Sequence, residues 1–272
     1  MCIRDSYKPA RRVVRPTDQC MAWVENVHEQ QRLMTPSYLP MVVEPRPWTS
    51  PLSGGYLTDS IPLTLLKSNA ELVAQHTKGD EPYLLAANAQ QNVAWQVNAW
   101  MLDQVLHAYD NSLEIGCLMP RDGWPVPPYP KHLPEDSDGV IKWRINARRI
   151  HERNDKTRTA RIAIAKCLWV AKRFIDEPRL YFVMSLDFRG RYYYRPPYLN
   201  PQGNDVSRCL LLFSDGQPIT TSKQADWLRV HGANMYGHGK LDFQSRIDWV
   251  HQEEQHIVAC GTDPWAHAEF WM

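Results

Sequence analysis

Six prolines stand between Pro120 and Pro134. Proline lacks a backbone N–H and its ring clashes with the preceding helical turn, so no helix or central strand can run through this stretch. The patterns on either side must be separate elements joined by an extended linker. Before it, about Asp80 to Tyr109 reads as one long helix, with Ala87, Ala94, Val97, Met101 and Val105 at helical spacing and Pro82 suited to a first turn. After it, about Val140 to Ile175 is helical again. Placed on a helix, Ala163, Cys167, Val170 and Phe174 share an apolar arc of about 60°. Arg158, Arg161, Lys166, Lys172 and Arg173 occupy a different arc of about 140°, which also takes in Ile162 and Trp169.

Charge is concentrated in the same region. From Val140 to Arg179 there are 12 Lys or Arg and 4 Asp or Glu, against 19 basic and 26 acidic residues elsewhere. A basic island on an otherwise acidic chain, with a net charge of only +1, marks a local polyanion contact rather than a generally adhesive surface. A helix face that meets only water tends to mix signs, which this one does not.

The flanking regions add shorter elements. A helical pattern covers Thr17 to Gln31. Met41-Val42-Val43 reads as a short strand, Pro45, Pro47 and Pro51 bound a loop, and Ser53-Gly54-Gly55 is a turn. Beyond the basic helix, the run from Arg179 to Ser185 is strand-like, and Ser222 to Met235 and Gln244 to Cys260 are helical. The expected class is α+β, mostly helical. With 43% hydrophobic residues and a mean hydropathy of -0.50, the composition is that of a globular chain. No run approaches the roughly 20 apolar residues of a membrane span. Met1 to Arg15 is basic and polar, without the apolar core of a secretory signal. Cys2, Cys20, Cys117, Cys167, Cys209 and Cys260 are scattered with no C-x-x-C pair, as expected of reduced thiols in a cytoplasmic compartment.

The most specific chemistry lies in Asp187-Phe188-Arg189-Gly190-Arg191, followed by Asn200-Pro201-Gln202-Gly203-Asn204-Asp205. A glycine beside an arginine lets the backbone approach a bulky partner while presenting a guanidinium to it. Arginine grips phosphate through two parallel N–H donors and stays charged at any working pH. The second stretch is rich in turn-forming residues, and a plain polar loop would account for it alone. Together with Tyr38 to Trp48, Asn92 to Asn98 and Asp226 to Asn234, these make five matches in family order. On them the chain resembles the single-subunit, bacteriophage-type DNA-dependent RNA polymerases and their mitochondrial relatives, from about Tyr38 to the end.

That resemblance implies parts of a right-hand polymerase. Residues 1–79 would close an N-terminal domain, with 1–6 fitting no family position. Residues 80–176 would form a thumb-like helical hairpin with its proline-rich linker at 120–134. Residues 177–213 would be a partial palm, and 214–272 a truncated palm insertion. Asp187, Arg189, Gly190 and Arg191 would contact the template strand near the RNA–DNA hybrid, Asp187 orienting its basic neighbours rather than binding metal. Tyr193 would offer a stacking ring. Arg208 stands where phage enzymes carry Lys, keeping a cation. Arg158, Arg161, Lys166, Lys172 and Arg173 would track hybrid phosphates, and five such contacts imply a slope of about −4 to −5 for log affinity against log salt.

The family's chemistry uses two magnesium ions held by Asp residues. By resemblance the first of these begins an Asp-Gly-Ser segment some tens of residues beyond Met272. Asp122-Gly123, Asp138-Gly139 and Asp215-Gly216 lack its surroundings and read as turns. His251, His256 and Cys260 do not share a helix face. The expectation is therefore no catalytic or metal-binding residue here, and no activity from this chain alone. The implied partners are a DNA template, the RNA–DNA hybrid and, for the complete enzyme, ribonucleoside triphosphates. No membrane partner is expected, and the protein would be a monomer. The phage-like form of Asn200 to Asp205 favours the cytoplasm of an infected bacterium over a mitochondrion. Two other readings stay open: a related DNA polymerase, where the comparable motif usually starts with Thr, and a non-catalytic nucleic-acid-binding module.

Overall fold

The computed structural model describes residues 17–19, 38–58, 63–67, 75 and 81–271. The helical pattern at Thr17 to Gln31 falls outside them after its first three positions. The chain divides into two compact units, Met1–Ser214 and Asp215–Met272.

Among the described residues, three small sheets, three longer helices and one short helix organise the first unit. β1 (Arg46–Ser50) pairs antiparallel with β2 (Ser53–Gly55). The residues expected to be a loop between Pro45 and Pro51 are thus a strand. Pro47 is tolerated because this is an edge whose outer groups are met by side chains of α1 (Pro82–Gln91). Trp48 N–H donates to Asn88 Oδ1 at 2.7 Å, Asn88 Nδ2 donates to the Trp48 carbonyl at 3.0 Å, and Gln91 Nε2 donates to the Arg46 carbonyl at 3.1 Å. Met41 makes a single bridge to Tyr181, while Val42 and Val43 are exposed, so the expected strand there reduces to one residue.

The long helix expected from Asp80 to Tyr109 is two helices. α1 stops at Gln91, β4 (Trp95–Val97) follows, and α2 (Ala99–Asp110) starts afresh with Asn98 accepting from Met101 N–H at 3.0 Å. The helical spacing of Ala94 and Val97 is overridden by strand pairing. α3 (Asp138–Arg173) runs 36 residues, or about 54 Å, from a Ser137 cap. Asp138-Gly139 therefore opens a helix instead of making a turn. The buried stripe of its second half is Ile164, Cys167, Leu168, Val170, Ala171 and Phe174. Ala163, expected in that stripe, is exposed, since the i, i+3, i+4, i+7 pattern starts at Ile164 and a methyl side chain demands little burial.

β3 (Leu66–Lys67) runs parallel to β5 (Met184–Asp187), which pairs antiparallel with β6 (Tyr192–Tyr194) in the register Met184 to Tyr194 and Leu186 to Tyr192. Upstream of β5, Leu180 and Tyr181 make only single bridges, to Trp95 and Met41. The short helix α4 (Asp205–Cys209) leads into β7 (Leu211–Phe213), which closes on β4 with Trp95 opposite Phe213. Trp48, Leu65, Leu84, Ala87, Val183, Met184 and Leu186 form the apolar core beneath the β5–β6 hairpin. Truncating one of its leucines to alanine should cost about 2–5 kcal/mol.

The second unit is helical. α5 (Ser222–Tyr236) carries a Thr221–Gln224 capping box and ends at Gly237 in the left-handed conformation. The expected Gln244 to Cys260 helix is broken at Glu253 into α6 (Phe243–Gln252) and α7 (Glu254–Thr262), followed by α8 (Ala268–Trp271). Tyr236 packs against Trp249 and Phe270, with centroids 4.6 and 5.1 Å apart. The expected α+β class, mostly helical, holds for the described residues.

Candidate nucleic-acid interface

The β5–β6 turn is built around one carboxylate. Asp187 Oδ1 accepts the backbone N–H groups of Arg189 and Arg191, each at 2.9 Å. The Asp187 N–H donates to the Arg191 carbonyl at 3.0 Å, and Gly190 N–H donates to the Asp187 carbonyl at 3.1 Å. These bonds, that from Arg191 foremost, hold the carboxyl below its usual range. Arg189 Nε reaches Asp187 Oδ2 at 3.4 Å, and the Tyr193 hydroxyl donates to it at 3.5 Å. Gly190 has φ +79°, and an added Cβ would meet nothing within 4 Å. Backbone conformation, rather than the close approach inferred from sequence, is what the fold requires of this glycine. The exposed Arg191 guanidinium has no hydrogen bond or ion pair among the described residues.

The Asn200 to Asp205 stretch is docked onto this hairpin. Gln202 Oε1 accepts the Tyr194 N–H at 3.2 Å, and its Nε2 donates to the Tyr192 carbonyl at 2.9 Å, so one side-chain amide extends the edge of β6. Beneath it, Ser207 Oγ accepts Asn200 N–H at 2.9 Å and donates to the Asn200 carbonyl at 2.8 Å. Asn204 caps α4 by accepting Ser207 N–H at 2.9 Å. Arg208 is ion-paired with Asp205 one helical turn earlier, and both remain exposed.

α3 packs on this loop through its second half. Cys167 lies beside Ser207, and burial pushes its thiol up to about 12. Lys166 Nζ sits 5.1 Å from the Tyr198 ring centroid, just before the loop. The exposed Arg173 lies 5.7 Å from Trp169, and Lys172 is exposed with no partner among the described residues.

The first half of α3 has another task. The proline-rich linker is strapped along it, its backbone groups satisfied by helix side chains. Asn154 Oδ1 accepts Trp124 N–H at 2.8 Å while its Nδ2 donates to the Trp124 carbonyl at 2.9 Å. Trp143 Nε1 donates to the Pro127 carbonyl at 2.8 Å, and the Arg153 guanidinium stacks 3.4 Å over the Trp124 ring. Gly123 permits this approach, because a Cβ there would lie 2.9 Å from the Asn154 amide. Arg161 donates to the Met119 and Tyr109 carbonyls and stacks 4.1 Å over the Tyr109 ring. It serves as a clamp, whereas its neighbour Arg158 is exposed and unpartnered among the described residues. Sequence reasoning passed over Asn154, Arg153 and Ser207 and took Gln202 only as a member of the Asn200 to Asp205 stretch; Asn154 and Arg153 act on Trp124, about thirty residues away, whereas Ser207 and Gln202 act within the loop and its hairpin. No local pattern announces them.

Magnesium, which the resemblance implies for a complete polymerase, does not fit the described residues. Among them no three His, Cys, Asp or Glu side chains come together in a way that could hold a metal ion, and the Asp187 carboxylate is occupied by two backbone N–H groups, Arg189 and Tyr193.

A family model described as DNA-directed RNA polymerase N-terminal matches residues 10–78, and one described as DNA-dependent RNA polymerase matches residues 219–272. The mitochondrial DNA-directed RNA polymerase of Schizosaccharomyces pombe is 33% identical over 87% of this chain and 21% of its own length. The DNA-directed RNA polymerase of Enterobacteria phage T3 is 30% identical over 85% of the chain and 26% of its own length. T7 RNA polymerase, from Escherichia phage T7, is 28% identical over the same shares. The chain belongs to the single-subunit, phage-type DNA-dependent RNA polymerase family. It spans about a quarter of the length of these curated relatives.

Proposed function

We propose that this chain forms part of a DNA-directed RNA polymerase that copies a DNA template from ribonucleoside triphosphates, and that its own contribution is to hold the template and the RNA–DNA hybrid. The observation that carries this reading is the Asp187 turn. Its one carboxylate is occupied by two backbone N–H groups on Oδ1 and by Arg189 and Tyr193 on Oδ2, so Arg191 is offered outward with no ion pair among the described residues. α2 and α3 would serve as the thumb, 177–213 as part of the palm and 214–272 as the palm insertion. Around Arg191, the exposed Arg189, Arg208, Lys172, Arg173 and Arg158, with Lys166, would follow backbone phosphates without reading sequence. Tyr193 would lie against a base. Phage and mitochondrial relatives support either an infected bacterial cytoplasm or a mitochondrion as the setting.

The test is binding of a fluorescein-labelled RNA–DNA hybrid by fluorescence anisotropy across a salt series. If each of the five cations of this set that make no ion pair among the described residues (Arg158, Lys166, Lys172, Arg173 and Arg191) meets one phosphate, the log–log slope should be about −4 to −5. A slope near zero would remove the electrostatic basis of the proposal. On a primed scaffold with magnesium and ribonucleoside triphosphates, the chain alone should add no nucleotide; extension would show that it holds catalytic groups this reading does not assign.

A further inference from the structure

Arg121, Arg158 and Arg161 line one cavity of about 360 Å³ between the proline-rich strap and α3, with Tyr109, Asn154 and Thr157 in the same wall. Among the described residues no carboxylate lines it. Three guanidiniums around one hollow repel one another unless an anion shares the space. Arg161 is held in place by two backbone carbonyls and the Tyr109 ring, so its unused N–H groups are fixed in direction before any ligand arrives. Arg121 and Arg158 are exposed and make no hydrogen bond or ion pair among the described residues. The volume lies within the range of small-ligand sites, and a guanidinium fork matches phosphate oxygens.

We infer that this hollow is a phosphate site, distinct from the Asp187 turn and built from the linker as much as from the helix. The phosphate comes either from a nucleic-acid backbone or from a free diphosphate. The first source rests on the nucleic-acid reading above; the second does not.

The experiment uses the 272-residue chain with Arg121→Gln, Arg158→Gln and their combination, alongside Arg149→Gln, an exposed position of α3 outside the cavity. The probes are the labelled hybrid, followed by anisotropy, and inorganic pyrophosphate, followed by thermal melting. For a backbone phosphate, the double variant should bind hybrid roughly tenfold more weakly with a slope flatter by about 1–2, while Arg149→Gln changes affinity less than about twofold. For a free diphosphate, pyrophosphate should raise the Tm of wild type and Arg149→Gln but not of the double variant, with hybrid binding unchanged. The two single variants give the same reading at smaller amplitude should the double one fold poorly. The inference is overturned if Arg149→Gln weakens hybrid binding as much as the double variant and pyrophosphate acts on all alike, or if neither probe distinguishes the double variant from wild type. In that event Arg191→Ala separates the two ideas: lost hybrid binding leaves the proposed function standing, and unchanged binding removes both.

Discussion

Asp187 holds the backbone of Arg191 with both its carboxylate and its own N–H, and leaves the Arg191 guanidinium alone. Asp187 Oδ1 takes the Arg191 N–H at 2.9 Å and the Asp187 N–H reaches the Arg191 carbonyl at 3.0 Å, yet carboxylate and guanidinium form no ion pair. An aspartate that neutralised its neighbour would leave nothing for a phosphate. This one shapes the turn and leaves the cation available.

Because the fold depresses the Asp187 carboxyl, it contributes stability that is present above its ordinary value of 3.8 and lost as pH falls through the lower folded value. Wild type should therefore melt above Asp187→Asn at neutral pH, and the gap should close below about pH 4. Thermal melting of both proteins between neutral and acid pH checks this. A gap that stays constant would mean that the charge plays no part in the turn.

Gly190→Ala should destabilise by roughly 1–2 kcal/mol, the cost of a left-handed alanine, because φ is +79° although space is free. Gly190→Asn, which tolerates this conformation better, should recover part of the loss. Denaturant melts of the two variants decide it; equal stability of alanine and glycine would show that the turn relaxes to another shape.

Ser207→Ala should cost about 1–3 kcal/mol, since it orphans the N–H of buried Asn200 and removes one of the two donors to its carbonyl, the other being the Gly203 N–H. The loop it supports carries Gln202, so amide exchange at Tyr194, whose N–H is held by Gln202, should quicken as well. Unchanged exchange with a lowered midpoint would separate the loop from the hairpin.

Asn154→Ala should release the proline-rich strap by removing both bonds to Trp124, worth about 0.5–1.5 kcal/mol each. Limited trypsin digestion should then cut faster after Lys131. Equal rates in variant and wild type would mean that Trp143 and Arg153 suffice to hold the strap.

Helix α3 was legible because a periodic pattern begins just past the proline-rich stretch, although its Ser137 cap was not read. Its register was less so: an alanine at position 163 fits an apolar arc on paper but is exposed in the fold. β4 was hidden because Trp95-Gln96-Val97 becomes a strand only by pairing with Leu211 to Phe213, more than a hundred residues on. β1 was hidden by Pro47, whose cost is removed by amides on α1 that no local reading can supply. The signature residues were legible as a set, but not the division of labour among cations. Arg161 and Arg158 look equivalent on a helical wheel, and only the path of the linker makes one a clamp and leaves the other open.

The most direct measurement is hybrid affinity of Arg191→Ala beside its thermal stability. Its guanidinium is exposed and makes no hydrogen bond or ion pair among the described residues, so unfolding free energy should move by less than about 0.5 kcal/mol. Binding should fall roughly tenfold, and the salt slope should flatten by about 1. A collapse of Tm with unchanged affinity per folded molecule would make Arg191 a structural residue and contradict the account.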